Sequence, residues 1–212
     1  MLEGGQPIGE YDADAAAFEA TRNDGQARVR VYRPDGLQLV LGRASRPEQE
    51  LFGQACLADS VEVVRRRGGG CSVLLDPGNL IVAICLRAPG IGENRRWFER
   101  INRCLIGALG DLGIPGLAQA GISDLVLGDR KVAGCSLHRW RDTLYYAASL
   151  LVDPRIDLME RYLRHPPREP DYRRGRDHAQ FVIGLAARFA PIDSDVLRAG
   201  LASKLAGRIG DL

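Results

Sequence analysis

Arg65-Arg66-Arg67-Gly68-Gly69-Gly70 sets three guanidinium groups beside three consecutive glycines. Glycine lets a backbone approach a ligand closely and present its N–H groups, while the arginines add charge. Such a loop suits a carboxylate or a phosphate; a plain basic turn after an edge strand has the same composition. No Gly-Lys-Ser/Thr follows, so it is not a Walker A loop, and the dinucleotide GxGxxG spacing is missing. Lys131 is the second feature. Of 29 basic residues only Lys131 and Lys204 are lysines. A compact ammonium on a flexible stem suits a carboxylate or an α-phosphate that changes shape during reaction. Asp124 opens the same segment, and a carboxylate beside bound phosphate is a natural magnesium ligand. Each residue taken singly also reads as an ordinary turn residue.

Taken in order, RRRGGGCSVLLDPGN (65–79) and GISDLVLGDRKVAGCS (121–136) resemble lipoate–protein ligase A, of the biotin/lipoate A/B protein ligase superfamily. The matching positions are Arg65-Arg66, Gly69-Gly70, Asp76, Gly78, Asn79, Asp124-Leu125, Lys131-Val132 and Gly134, with Leu41-Gly42-Arg43 upstream. The resemblance covers residues 28–153 and leaves 154–212 as a helical C-terminal part of one 1–212 catalytic domain. It implies an α+β fold, a mixed β-sheet flanked by helices. It also implies a ligase that uses ATP and Mg²⁺ to turn lipoate or octanoate into an acyl-adenylate. A lysine of a lipoyl-acceptor protein then takes the acyl group. Lys131 would be the catalytic residue, holding the acyl carboxylate and the α-phosphate. Arg66, Gly69, Gly70, Cys71 and the Asp76/Gly78/Asn79 turn would bind substrate or adenylate. Asp124 and Gly134 would join them, with Asp124 the candidate metal ligand.

Three departures leave alternatives open. Larger ligases of the family carry a further C-terminal domain, and this chain ends at 212; unaided activation, a separate small accessory protein, or transfer alone would each accommodate that. Ala147-Ala148-Ser149-Leu150-Leu151 stands where many ligases have a His-Gly pair. Cys71 stands where the last loop glycine often sits. The last point admits an octanoyl or lipoyl transferase working through a cysteine thioester, with Cys71 or Cys135 as nucleophile. A thiolate near Arg66 and Lys131 would have a lowered pKa; a small half-buried strand residue explains both cysteines equally well. A non-catalytic homologue that binds acyl groups or carriers is the third reading. Arg173, Arg174 and Arg176 would steer an acidic carrier in any of them.

Composition narrows the field. With 29 basic and 27 acidic residues the formal charge is +2, not the basic excess of a nucleic-acid binder. Five scattered cysteines form no CxxC or zinc spacing and read as reduced thiols of a cytoplasmic protein. MLEGGQPIGEYD lacks the basic start and apolar run of a signal peptide, and no segment has the length of a membrane span. His138, His165 and His178 show no ligand spacing, and no hydrolase signature is present.

The elements that must position these residues follow from periodicity. Residues 12–22 predict a helix with Asp12 as N-cap. RVRVYR (28–33) and LQLVLG (37–42) predict a hairpin around Pro-Asp-Gly. Ser45 and Glu48 have capping-box spacing before a helix at 47–57. Strands are expected at 61–66, 72–75, 80–86 and 143–152, with a hairpin of 124–127 and 130–137. LIVAICL (80–86) is apolar throughout, as for a strand covered on both faces. Trp97, Ile101, Leu105, Ala108 and Leu112 predict a helix at 93–112 that Gly113 ends. Leu197, Leu201 and Leu205 predict a last helix at 194–208. Between 154 and 194 helix is expected except in the polar stretch 165–178. Hairpins interleaved with helices favour an α+β domain over a doubly wound fold.

Overall fold

The computed structural model describes residues 7–90, 92–189 and 191–212. The first six residues of the stretch read for a signal peptide lie outside them. The chain begins with β1 (Gly9–Glu10), α1 (Ala15–Asp24), β2 (Arg28–Tyr32) and β3 (Gln38–Leu41). Two short helices, α2 (Pro47–Glu50) and α3 (Gly53–Ala58), lead to β4 (Glu62–Arg65). The glycine loop follows, then β5 (Val73–Leu75), β6 (Asn79–Arg87) and α4 (Asn94–Asp111). Next come β7 (Leu117–Ala120), β8 (Asp124–Leu127), β9 (Arg130–Trp140) and β10 (Thr143–Leu151). Helices α5 (Ile156–Tyr162), α6 (His178–Phe181) and α7 (Ser194–Arg208) complete the chain, with short 3₁₀ turns between.

The strands form two sheets. The smaller, ordered β1-β4-β3-β5, is mixed: β4 runs parallel to β1 and β3, and β5 antiparallel to β3. The larger, β2-β6-β10-β9-β8-β7, is antiparallel throughout. Strand β6 is buried from Asn79 to Leu86, as its apolar run predicts. Its Leu80, Val82 and Ile84 pack with Ile101 and Leu105 of α4 and Leu197 and Leu201 of α7. Its Ile81 points the other way, onto Val40, Val64 and Leu75 of the smaller sheet. Helix α4 ends at Gly113 in the left-handed region (φ +84°), as expected. Among the described residues no helix is long and apolar enough to cross a membrane.

Several local expectations fail. The segments read as one hairpin, 28–33 and 37–42, part company: β2 pairs with β6 in the larger sheet, β3 with β4 and β5 in the smaller. Leu39, Val40 and Leu41 are all buried, so β3 needs cover on both faces, which a hairpin with half-exposed β2 would not supply. The helix expected at 47–57 breaks at Leu51, where the backbone bridges Leu163, and Phe52 N–H donates to the Tyr162 carbonyl. Arg46, not Ser45, occupies the N-cap position of α2. Asp12 is no cap either; α1 starts after Asp14, whose carboxylate makes no capping bond. The strands β1 and β7 are too short to leave a pattern in sequence. Among the described residues from 154 to 193 the chain is mostly irregular, with α5, α6 and two 3₁₀ turns.

Candidate active site

A cleft of about 920 Å³ opens between the two sheets. Printed across the larger sheet by strand register, Asp124, Gly134, Ser149, Ile81 and Tyr32 stand side by side in one row. Because strand side chains alternate, the row shares the face on which Ile81 meets the smaller sheet. Glycine, serine and the neighbouring Ala147 keep the middle of this floor low. Val40, Val73 and Leu75 make the opposite wall apolar.

Lys131 reaches the row through a β-bulge. Lys131 and Gly134 are three positions apart and would face opposite ways in a regular strand. The β8–β9 ladder slips between Leu125 and Val126, and the extra residue re-aims Lys131. Its Nζ then lies where a side chain at Gly134 would be: an added Cβ would stand 3.0 Å from it. Nζ pairs with Asp124 Oδ1 at 2.8 Å, with the lysine side chain 24% and the aspartate side chain 13% exposed. Tyr172 donates its hydroxyl to Asp124 Oδ2 at 2.8 Å. Burial and the adjacent Asp124 raise the Tyr172 phenol, so it stays a donor. A partly solvated pair of this kind is worth on the order of 1 kcal/mol, so an incoming carboxylate or phosphate can compete for the ammonium.

The glycine loop is held by its own arginines. Arg66 donates to the carbonyls of Val40 (3.0 Å), Gly69 (2.7 Å) and Cys71 (2.8 Å). Burial lowers its pKa to about 10, which leaves it charged at neutral pH. Arg65 ties down the carbonyls of Gly42, Arg43 and Ser45. Gly70 takes φ +92°, and its carbonyl lies so close to Gly42 that a Cβ there would sit 1.8 Å away. Gly69 has open space around it, and both Gly69 and Gly70 line the cleft. Behind them the buried Glu50 accepts from the Ser45 hydroxyl (2.9 Å) and from the N–H and hydroxyl of Ser72 (both 2.6 Å). Nothing in the sequence singled out Glu50, because Glu48 has the better capping position.

Not every expected residue enters the cleft. Asp76, Gly78 and Asn79 do not line it. Asp76 instead accepts from the N–H groups of Gly78 (2.6 Å) and Arg155 (3.0 Å). The Gly78 carbonyl accepts from Val152 and Asp153, and a Cβ at Gly78 would lie 1.9 Å from the Asp153 oxygen. This turn braces the chain after β10. Cys135 lines the cleft, but its thiol is not the lowered one expected beside Lys131. Its register partner Ala148 and its neighbour Tyr146 face α4, and the Tyr146 hydroxyl lies 3.0 Å from its sulfur. Burial pushes the thiol up to about 12, opposite to the lowering expected beside Lys131. Cys71 does line the cleft, with Sγ 3.5 Å from the Arg168 carbonyl.

The polar stretch 165–178 lies along the cleft mouth and contributes Tyr172 to it. Its arginines are not a free steering patch. Arg173 is 5% exposed and stacks on Phe181, and Arg176 pairs with Asp129 at 2.8 Å. Only Arg174 of the three is exposed. The histidines stay apart from the Lys131–Asp124 pair: His165 sits on Glu169 and His178 faces Glu160. Among the described residues no three His, Cys, Asp or Glu groups are set to hold a metal. Asp124 is a lone carboxylate and fits only an ion that arrives with its own oxygen ligands.

Solved structures that share this two-sheet fold include lipoate protein ligases. A bipartite lipoate protein ligase from Thermoplasma acidophilum superposes with TM-score 0.79 at 18% identity, over 93% of this chain and 76% of its own. A lipoate-protein ligase A bound with ATP gives 0.78 at 19% identity, over 93% and 78%. The family model of the lipoyl protein ligase A/B catalytic domain matches residues 10–196, and the chain belongs to that family. Among named relatives, an octanoyltransferase of Gloeobacter violaceus is 30% identical over 139 residues, covering 61% of this chain and 60% of the relative. A candidate lipoate-protein ligase A of Aeropyrum pernix is 32% identical over 155 residues, covering 71% and 56%. The chain thus spans under two thirds of the length of these relatives. One of these relatives is named as a transferase and the other as a candidate ligase.

Proposed function

We propose that the protein is an ATP-dependent lipoate–protein ligase, with residues 1–212 forming one catalytic domain that acts in the cytoplasm. The observation that carries this reading is the Lys131–Asp124 pair at one end of an apolar-walled row. An acyl chain lies along the row and its carboxylate displaces Asp124 from the ammonium. The carboxylate oxygen attacks the α-phosphorus of ATP and pyrophosphate leaves. Lys131 bridges the acyl oxygen and the α-phosphate, offsetting charge that grows in the transition state. Gly69 and Gly70, with no side chain to obstruct, let backbone approach the adenylate. Asp124, released from Lys131 but still held by Tyr172, would meet a Mg²⁺ carried on the nucleotide, which offsets phosphate charge. In the second step an acceptor lysine amine attacks the acyl carbonyl and AMP departs. Positioning and electrostatics do the chemistry, with no enzyme nucleophile.

The acceptor is a lipoyl domain, in line with the Thermoplasma ligase described together with its E2 lipoyl domain. That neighbour is bipartite, and a separate accessory protein assisting the adenylation step is part of this proposal. The transferase reading keeps one observation, the position of Cys71 in the cleft. Intact mass spectrometry of an acceptor domain separates the two. Lipoate with MgATP is expected to add a lipoyl mass that Lys131→Ala abolishes. An octanoyl mass gained from octanoyl-acyl carrier protein without ATP, and lost in Cys71→Ser, overturns the ligase.

A further inference from the structure

The row across the larger sheet has two tall ends. At one stands Lys131 over Gly134; at the other stands Tyr32, with Tyr11 beside it. Tyr11 and Arg66 line both the cleft and a smaller cavity of about 30 Å³ behind it, whose other walls include Asp14, Phe18, His138 and Tyr145. The two side chains are therefore the partition between the cavities. Arg66 is fixed by its three carbonyls. Tyr11 is fixed by a different device.

Asp14 is buried and accepts from Arg30 (2.7 Å), from the Tyr32 hydroxyl (2.8 Å) and from the Tyr145 hydroxyl (2.8 Å). A carboxylate holding three donors is a rigid anchor. The Tyr32 proton is directed at Asp14, so in the 3.0 Å contact between Tyr11 and Tyr32 the Tyr11 hydroxyl donates. The Tyr11 N–H donates to the Arg65 carbonyl, which ties its backbone to the strand that runs into the glycine loop. Ring and backbone are both held, and the apolar face of the ring joins Val40, Leu75 and Ile81.

Gly134 and Tyr32 are three strand spacings apart, ~14 Å. A hydrogen bond to Lys131 takes ~3 Å of that and van der Waals contact at the far wall ~4 Å. The remaining ~7 Å, at ~1.3 Å per carbon of an extended chain, holds a chain on the order of six to seven carbons. We propose that Tyr11 is the chain-length gate of this cleft: its ring closes the far end, and removing the ring joins the cleft to the cavity behind. The inference rests on the acyl reading of the cleft given above and adds the residue that sets which saturated acyl chains fit. It also gives the buried Asp14–Tyr32–Tyr145 network a purpose, since that network stiffens the gate.

The test is calorimetric titration of the whole protein with straight-chain fatty acids from hexanoate to dodecanoate. Wild type is expected to lose affinity beyond about seven carbons. Tyr11→Ala is expected to favour decanoate over octanoate by about fifteenfold relative to wild type, since each of the two newly buried methylenes is worth about fourfold. Tyr11→Leu serves should the alanine variant not fold, and Tyr11→Trp is expected to shift the limit toward hexanoate. Tyr11→Phe keeps the ring and is expected to keep the limit. An unchanged limit in folded Tyr11→Ala or Tyr11→Leu overturns the gate while leaving the acyl cleft intact. Failure of wild type to bind any chain length overturns the acyl reading itself, and the gate with it.

Discussion

Arg66 and Lys131 are both cations set in glycine-containing segments, and in sequence they carry equal promise. In the fold Arg66 is wired to three backbone carbonyls, whereas Lys131 holds one displaceable carboxylate at the edge of a cleft. The same contrast separates the segments around them. From 65 to 79, Arg65, Arg66, Asp76 and Gly78 hold backbone to backbone, while Gly69, Gly70 and the apolar strand after them form a wall of the cleft. From 121 to 136, a bulge and a glycine present an ammonium to open space. A guanidinium with five donors in a fixed fork organises a loop well; a single ammonium on a flexible stem can change partners. One segment builds the site and the other acts in it.

The largest effect that tests this contrast is at Lys131. Lys131→Ala is expected to lower acceptor modification by on the order of 10²–10³-fold with an unchanged melting temperature. A loss of stability in place of activity would place Lys131 with the builders. Arg66→Met should do the reverse, destabilising the fold by about 2–3 kcal/mol by leaving carbonyls of Val40, Gly69 and Cys71 without a donor, as urea titration would show. Asp76→Ala should behave like Arg66→Met, with modification per folded molecule retained. Gly134→Ala is subtler. Its methyl meets Lys131 Nζ at 3.0 Å, and displacing the ammonium is expected to cost roughly tenfold in kcat.

The smallest effect concerns pH. Burial, with Arg173 nearby, lowers the His178 pKa from 6.5 to about 4. Between those values the unfolded chain takes up a proton that the folded chain refuses, so stability falls as pH drops from 6.5 toward 4. His178→Gln should flatten that part of the stability curve. An unchanged slope would mean that His178 is solvated and that the stretch along the cleft mouth is looser than its contacts imply.

Helix α4 and the β8–β9 hairpin were legible because their signals are local: a repeat of three and four residues, and a two-residue turn between apolar runs. The β2–β3 hairpin was misread because two alternating segments around Pro-Asp-Gly look alike whether they pair with each other or with distant strands. Asp14, Glu50 and Tyr11 left no trace, since their side-chain partners, apart from Ser45, are 16 to 131 positions away in the chain. Tyr172 lies in the polar stretch 165–178, and only the contact with Asp124 shows its role.

Sequence by itself determined the α+β class, the buried strand β6, the amphipathic helices and the segments 65–79 and 121–136 in which the family is recognisable. These depend on residue type and short-range spacing. Tertiary structure alone decided which sheet each strand joined, that the bulge before Gly134 turns Lys131 toward Asp124, and that Asp76 and Arg66 brace backbone. It also decided that the Cys135 sulfur meets the Tyr146 hydroxyl and that Tyr11 stands at the far end of the cleft. Those outcomes depend on which distant group fills each hydrogen bond and each gap, and a pattern of neighbours along the chain holds no record of that.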